Sequence, residues 1–307
     1  MIVPKDPHLG RMLTYVGTPL VLLIAWDIAV VVAYNLLGWH WLGFSEIPVT
    51  LYGSVIGIVV GFRNNSAYAR WWEARIIWGS IVNNSRSLGR QVVAMLDTSR
   101  ASTAADPEPV ADLQRRLVYH QIAFVHALRQ HLRGLDPFTE LPSLLSEAEM
   151  DGLRGAPNPP LAIQNRMASM LREARDRNWI NALEWQAMDG NLDDLADGQG
   201  GAERIKNTPL PKQYDYFPML FVRVYCLLLP CGMVAQLGWF TPLGSTLVGF
   251  MFLALEKIGR DIENPFDNTV FDIPMTSICR TIEINLRHML GEANLPQPLQ
   301  PARGVLW

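Results

Sequence analysis

The sequence predicts an all-α, polytopic membrane protein with four transmembrane helices and a helical cytosolic region. Three observations predict it. Apolar residues are gathered into four runs, at 17–39, 47–62, 216–239 and 240–255. Basic residues avoid two of the connections between those runs and crowd the others. The rest of the chain shows helical spacing, with no strand-like alternation and no internal repeat.

The first run, VGTPLVLLIAWDIAVVVAYNLLG, contains one charge, Asp27. A helix of about 20 residues crosses a bilayer core, so this run is long enough to span. A signal peptide is the rival reading. The absence of an A-x-A site after the run and the charge inside it argue against that.

The second run, IPVTLYGSVIGIVVGF, is short for a span. No breaker follows it before Asp97, so one long helix is expected to start in the membrane and leave it. The third run contains Arg223. The turn from Gly238 to Pro242 joins it to the fourth, giving a membrane hairpin.

Orientation follows from the basic residues. Segment 1–16 has Lys5 and Arg11, connection 40–46 has none, and segment 63–215 has eighteen of the twenty-six. The turn near 240 has none. Lys257, Arg260, Arg280, Arg287 and Arg303 follow the fourth run. Four spans with both termini in the cytosol of an inner-membrane protein fit every connection.

Beyond the membrane, Val110, Leu113, Leu117, Phe124, Leu128 and Leu132 mark a helix over 108–136. Further helices are expected at 160–176 and 179–196, the latter ended by Gly198, Gly200 and Gly201. Another, at 274–290, carries Met275, Ile278, Ile282, Leu286 and Met289 on one stripe and ends at Gly291. Residues 292–307 are expected to form a flexible tail. The regions are thus 1–62 with the first two spans, 63–215 in the cytosol, the hairpin at 216–258, helices at 259–291, and the tail.

A net charge of −3 offers no field for nucleic acid. Cys226, Cys231 and Cys279 have no C-x-x-C spacing and read as small buried apolar residues. The six histidines make no ligand set. No phosphate loop, H-E-x-x-H or nucleophile elbow is present, so neither an enzyme nor a cofactor or metal site is expected. The Asn64-Asn65-Ser66 and Asn83-Asn84-Ser85 acceptor patterns fall on the cytosolic side, away from glycosylation.

Four features of the membrane part carry functional information. Gly53, Gly57 and Gly61 recur every four residues, a spacing that lets helices approach closely in lipid. One step around lie Ser54, Ile58 and Phe62, which fit either membrane packing or an apolar constriction around an axis. Asn64, Asn65 and Ser66 follow and are placed to rehydrate an ion at a membrane mouth. Asp27 and Arg223 are costly charges inside spans, expected to pair with each other or with a neighbouring subunit.

The run Gly61-Phe62-Arg63-Asn64, Tyr68, Arg70, Glu73-Ala74-Arg75, Trp78-Gly79 resembles a signature of the bestrophin family, in its bacterial branch. Arg70-Trp71-Trp72 is similar to the R-W-W of animal members, and Ile262-Glu263-Asn264-Pro265-Phe266 to the N-P-F signature. Glu203-Arg204 to Thr208-Pro209-Leu210-Pro211 also matches. The resemblance covers roughly residues 5–290. It implies a homopentamer around one central pore, with Ser54, Ile58 and Phe62 as the neck. Ser54 departs from the apolar residue usual there and implies a wider, wetter outer ring.

A second, cytosolic aperture is implied near Ile180 to Leu183, with Leu183 preferred. Small monovalent ions would pass, chloride and other anions first. A sodium-selective channel of the same architecture is the alternative, and a carrier or membrane-bound sensor comes further behind. Asp267 and Asp272, after N-P-F, are too few carboxylates for the calcium site of animal members.

Overall fold

The computed structural model describes residues 14–43, 49–96, 108–302 and 304–307. Lys5, Arg11 and Arg303, used above for orientation, lie outside the described residues. The architecture among the described residues is helical: α1 (Thr18–Asn35), α2 (Val49–Met95), α3 (Glu108–Leu132), α4 (Glu147–Asp151), α5 (Pro159–Asp176), α6 (Ala182–Asn207), α7 (Lys212–Leu237), α8 (Thr241–Glu263) and α9 (Met275–Met289). Short 3-10 turns join several of them. No strand forms among the described residues beyond an isolated bridge between Ala302 and Val305.

The chain divides into two compact units. One holds Pro209–Asn264 and the described residues of Pro4–Trp71. In it α1, α7 and α8 pack together. Two stretches there are long and apolar enough to cross a membrane: Thr18–Asn35, with mean hydropathy 1.7, and Lys212–Glu263, with 1.8 over its best window. The second is broken into a hairpin. Gly238 takes φ 51°, which a glycine adopts without strain, and Gly238–Phe240 makes the turn. Pro218 and Pro230 lie inside α7. Such prolines are tolerated where neighbouring helices take over the freed backbone groups.

This unit buries charged groups within an otherwise apolar core and leaves apolar side chains on its outside. Asp27 is fully buried, while Val21, Leu22 and Ile28 on the same helix are exposed. That inversion suits a hydrocarbon solvent. Close packing depends on glycines the sequence did not single out. A Cβ on Gly249 would overlap the Leu23 side chain, and one on Gly232 would overlap Val49.

The other unit comprises Trp72–Thr208 and Pro265–Trp307. Here α3 packs against α5 and α9, and α5 against α6. The predicted stripe on α3 is its buried face: Val110, Leu113, Leu117, Phe124, Leu128 and Leu132 are all buried. The predicted helix at 274–290 forms as α9, with Met275, Ile282 and Leu286 buried.

The expected end of the sixth helix is corrected. It runs through Gly198, Gly200 and Gly201 to Asn207 and stops just before Pro209. Two of these glycines are packing residues. A Cβ on Gly198 would lie 2.9 Å from Ile81 Cγ1, and one on Gly201 would lie 3.0 Å from Ile77 Cδ1. The glycines therefore let α6 lie against α2, and the proline sequence ends the helix. The described residues of the tail after Gly291 form no helix. It is tied to α9 by Ser277 N–H donating to the Trp307 carbonyl at 2.6 Å. All three cysteines are free and buried, and burial pushes the Cys279 thiol up to about 12.

Candidate functional site: the α2 helix and its charged anchor

Helix α2 has 47 residues, about 70 Å of continuous helix. No glycine or proline interrupts its ladder strongly enough to end it, although Gly53, Gly57, Gly61, Gly79 and Gly89 lie within it. Its two faces differ. Ile56, Val60, Arg63 and Ala67 are buried at three- and four-residue steps, and Ala74 and Trp78, two turns further on, continue the same face. Leu51, Val55, Ile58 and Phe62 are exposed, at the same steps. Ile58 is 60% exposed and Phe62 67%. Ser54 is exposed too, and its hydroxyl donates to the Thr50 carbonyl at 2.9 Å. The stripe of Ser54, Ile58 and Phe62 therefore makes no part of the subunit's own core.

The three glycines do not act together inside the subunit. Gly53 meets Tyr225, whose hydroxyl would lie 2.6 Å from an added Cβ. Gly57 has only Phe252 at 3.9 Å, and Gly61 has nothing within 4 Å.

At the end of the apolar stretch, Arg63 is almost wholly buried, at 1% exposure. Its guanidinium donates to Asp215 Oδ1 at 2.5 Å, to Glu263 Oε2 at 3.0 Å and to the Glu256 carbonyl at 3.1 Å. Arg70 Nε donates to the Glu263 carbonyl at 2.9 Å. The two terminal nitrogens of this buried guanidinium are thus paired, which offsets much of the cost of burying the charge. Asn64 Nδ2 donates to the Leu255 carbonyl at 2.8 Å. Gly259 makes room: a Cβ there would overlap Asn64 Oδ1 and lie 2.5 Å from Arg63 Nη1.

This anchor takes up one of the three residues expected at the mouth, Asn64, Asn65 and Ser66. The Asn64 amide is committed to α8. The Ser66 hydroxyl donates to the Phe62 carbonyl at 3.1 Å. Asn65 is exposed. The sequence offered Arg63 only as part of a motif. Its role as the charged centre of the unit was not legible, because its partners lie about 150 and 200 residues away.

The pairing of Asp27 with Arg223 inside one subunit is overturned. The Asp27 carboxylate accepts from Ser245 Oγ at 2.8 Å and from Thr246 Oγ1 at 2.9 Å. Arg223 is exposed on α7. Two adjacent hydroxyls satisfy the carboxylate as a distant cation would, and their signal in the sequence was only a Ser-Thr pair within an apolar run.

Leu183 stands in the first turn of α6, where the Asn181 side chain accepts from the Glu184 N–H at 2.9 Å. Leu183 is 76% exposed and Ile180 is buried. Asp267 pairs with Lys206 at 2.7 Å, and Asp272 accepts from the Thr269 backbone and hydroxyl. Among the described residues no group of three or more His, Cys, Asp or Glu could hold a metal.

Comparison with known proteins agrees with the motifs. The family model for bacterial and fungal bestrophin proteins matches residues 8–288. A voltage-dependent anion channel-forming protein of Nostoc sp. is 36% identical over 248 residues, covering 78% of each chain. The voltage-dependent anion channel-forming protein YneE of Escherichia coli is 31% identical over 297 residues, 96% of this chain and 93% of its own. The crystal structure of a bacterial bestrophin homolog from Klebsiella pneumoniae superposes with TM-score 0.81 at 30% identity, covering 90% of this chain and 98% of that one. The motifs, the helical architecture and these likenesses together make the chain a member of the bacterial and fungal bestrophin family.

Proposed function

We propose that the chain is one subunit of a homopentameric anion channel in the inner membrane. Each subunit crosses the bilayer four times, with both termini in the cytosol. The observation that carries this reading is the exposed apolar stripe of α2. Leu51, Val55, Ile58 and Phe62 lie open on a unit that has buried Asp27 and Arg63. Copies of this stripe around an axis make a narrow dry neck, and such a ring gates ions by dewetting. The names of the relatives point the same way: voltage-dependent anion channel-forming proteins.

Within the neck each residue has a part. Ile58 and Phe62 form the dry section. The hydroxyl of Ser54 widens and wets its outer end, and Asn65 meets the ion as it leaves. Aromatic rings carry a positive edge and a negative face, so Phe62 rings that turn their edges to the axis favour a monovalent anion over a monovalent cation. Leu183 makes the second constriction. The exposed face of α2 that Gly61 borders is where neighbouring subunits approach. Arg63, tied to α8, fixes the height of the neck relative to the membrane hairpin.

Reconstitution of the purified chain into planar bilayers tests this reading. Discrete currents carried by chloride are expected. Smooth, saturable transport with no single-channel steps would favour a carrier and overturn it.

A further inference from the structure

The described part of the unit that holds α1, α7 and α8 contains six lysines and arginines: Arg63, Arg70, Lys212, Arg223, Lys257 and Arg260. Four of them are engaged. Arg63 and Arg70 make the anchor, Lys257 pairs with Asp261, and Arg260 pairs with Glu256. Lys212 and Arg223 have neither a hydrogen-bond acceptor nor a carboxylate among the described residues. Both stand on α7, and both are exposed and open to a ligand. Asp215, three residues after Lys212, is turned to Arg63 instead. The positions three and four residues from Arg223 are Met219, Leu220, Cys226 and Leu227, so its own helix offers it no acid.

Helical spacing puts the two cations on one stripe. Lys212, Tyr216 and Arg223 follow at steps of four and seven, within about 40° of one another around the axis. Tyr216 is exposed, and so are Val224 and Leu227 beyond Arg223. Depth follows from packing. Leu23 and Cys226 both meet Gly249, Trp26 Nε1 donates to the Leu227 carbonyl at 2.9 Å, and Val30 and Val31 pack with Val234. Helices α1 and α7 therefore run in parallel. Arg223, three residues before Cys226, is level with the first turn of α1, about 5 Å or less from the end of that span. An arginine at that level lays its stem against apolar chains and carries its guanidinium to the phosphate layer. A tyrosine one to two turns further out lies where amphipathic rings gather, at the head groups.

We propose that Lys212, Tyr216 and Arg223 hold the head group of an anionic phospholipid in the cytosolic leaflet, with its acyl chains along Val224 and Leu227. The chemistry is complementary at each level. The guanidinium of Arg223 takes the phosphate, Lys212 adds a second positive charge, and the Tyr216 hydroxyl donates between them. The exposed apolar residues beyond meet the chains. A net negative head group is favoured over a neutral one, because each basic residue beside an anionic leaflet adds its own attraction. The inference rests on the membrane reading of the chain and not on conduction. The stripe contains no residue of the neck, the mouth or the aperture, so the lipid steadies the membrane unit and does not line the ion path.

The test is thermal unfolding of the purified full-length chain, delipidated in a neutral detergent at constant ionic strength. Phosphatidylglycerol, phosphatidylcholine and inorganic phosphate are added in separate series. Phosphatidylglycerol is expected to raise the Tm saturably, phosphatidylcholine to do so only at higher concentration, and inorganic phosphate to leave it unchanged. R223Q is expected to keep the lipid-free Tm and to need about fivefold more phosphatidylglycerol for the same rise. K212Q/R223Q is expected to need about twentyfold more. R223K keeps a charge that phosphate accepts and is expected to respond nearly as the wild type does. A flat response to phosphatidylglycerol overturns the proposal, as does an equal response to the two lipids or a response that R223Q leaves unchanged. A rise with inorganic phosphate alone would make the ligand a free anion and overturn the lipid. A lipid-free Tm that falls in R223Q as far as in R63Q would give Arg223 to a neighbouring subunit and overturn it too. A chain that carries no current in bilayers would strike the channel reading and leave these titrations standing.

Discussion

Arg63 is the residue on which most of the membrane unit's polar structure turns. Its fork joins Asp215, Glu263 and the Glu256 carbonyl, all at a site with 1% exposure. Removing the cation takes from the nearly buried Glu263 carboxylate the guanidinium that donates to it. R63Q should therefore cost about 3 kcal/mol or more, read as a fall in the Tm of the purified chain. R223Q should change the Tm little, because Arg223 lies at the surface of the subunit. A loss in R223Q as large as in R63Q would mean that a neighbouring subunit completes Arg223. D27N retains one acceptor for Ser245 or Thr246 and should cost less than D27A.

Glu140 supplies a pH test at the same scale. Its folded value of about 2 lies below the ordinary carboxylate value of 4.5. A depressed carboxylate stabilises the fold above its unfolded pKa, and that contribution is lost as pH falls through the folded value. E140Q should therefore be less stable than the wild type at pH 7. The gap should close between about pH 4.5 and 2. A gap that stays constant over that window would assign the loss to packing. Of these residues, the sequence made Asp27 and Arg223 visible as charges in apolar runs. It could not show their partners, since hydroxyls on a facing helix leave no spacing signal.

At the scale of elements, spacing was a good guide wherever one face of a helix meets the core. The stripe on α3 was legible for that reason, and the long course of α2 because no breaker interrupts it. Glycine was the misleading residue. Gly198, Gly200 and Gly201 read as a helix end, yet α6 continues past all three, and Gly198 and Gly201 leave space for Ile81 and Ile77 of α2. In the same way the i, i+4 glycines of α2 promised a packing face. Of the three only Gly53 is tight within the subunit, and the other close contacts fall at glycines outside that pattern, among them Gly89, Gly232, Gly249 and Gly259. A long-range contact decides which glycine is tight, and no local pattern reports it.

A paired substitution separates the two roles of glycine on α6. G198A places a methyl against Ile81 and should destabilise by about 1–3 kcal/mol. Gly200 has nothing within 4 Å and is exposed, so G200A should stabilise the helix by about 0.5–1 kcal/mol. Chemical denaturation of both variants checks this. Equal losses in the two would show that α6 ends near Gly198, as the sequence alone suggested.

For the whole molecule, the family was legible because its signatures sit on α2 and just after α8, in order. The structure explains their mixture of residues. Phe62 and Tyr68 lie on the open face, whereas Arg63, Ala74, Trp78 and Phe266 are buried. One stretch thus holds both the residues of the proposed pore lining and the buried anchor behind them. The oligomer was not legible from spacing, since an exposed apolar stripe fits packing and conduction equally. The proposed assembly is what tells them apart. The measurement that tests it most directly is the single-channel current–voltage relation of the reconstituted chain under a potassium chloride gradient, compared between the wild type and the I58A/F62A double variant. The account predicts reversal near the chloride equilibrium potential in the wild type and a larger conductance in the double variant. Reversal at the potassium potential, or a double variant with unchanged conductance, would contradict it.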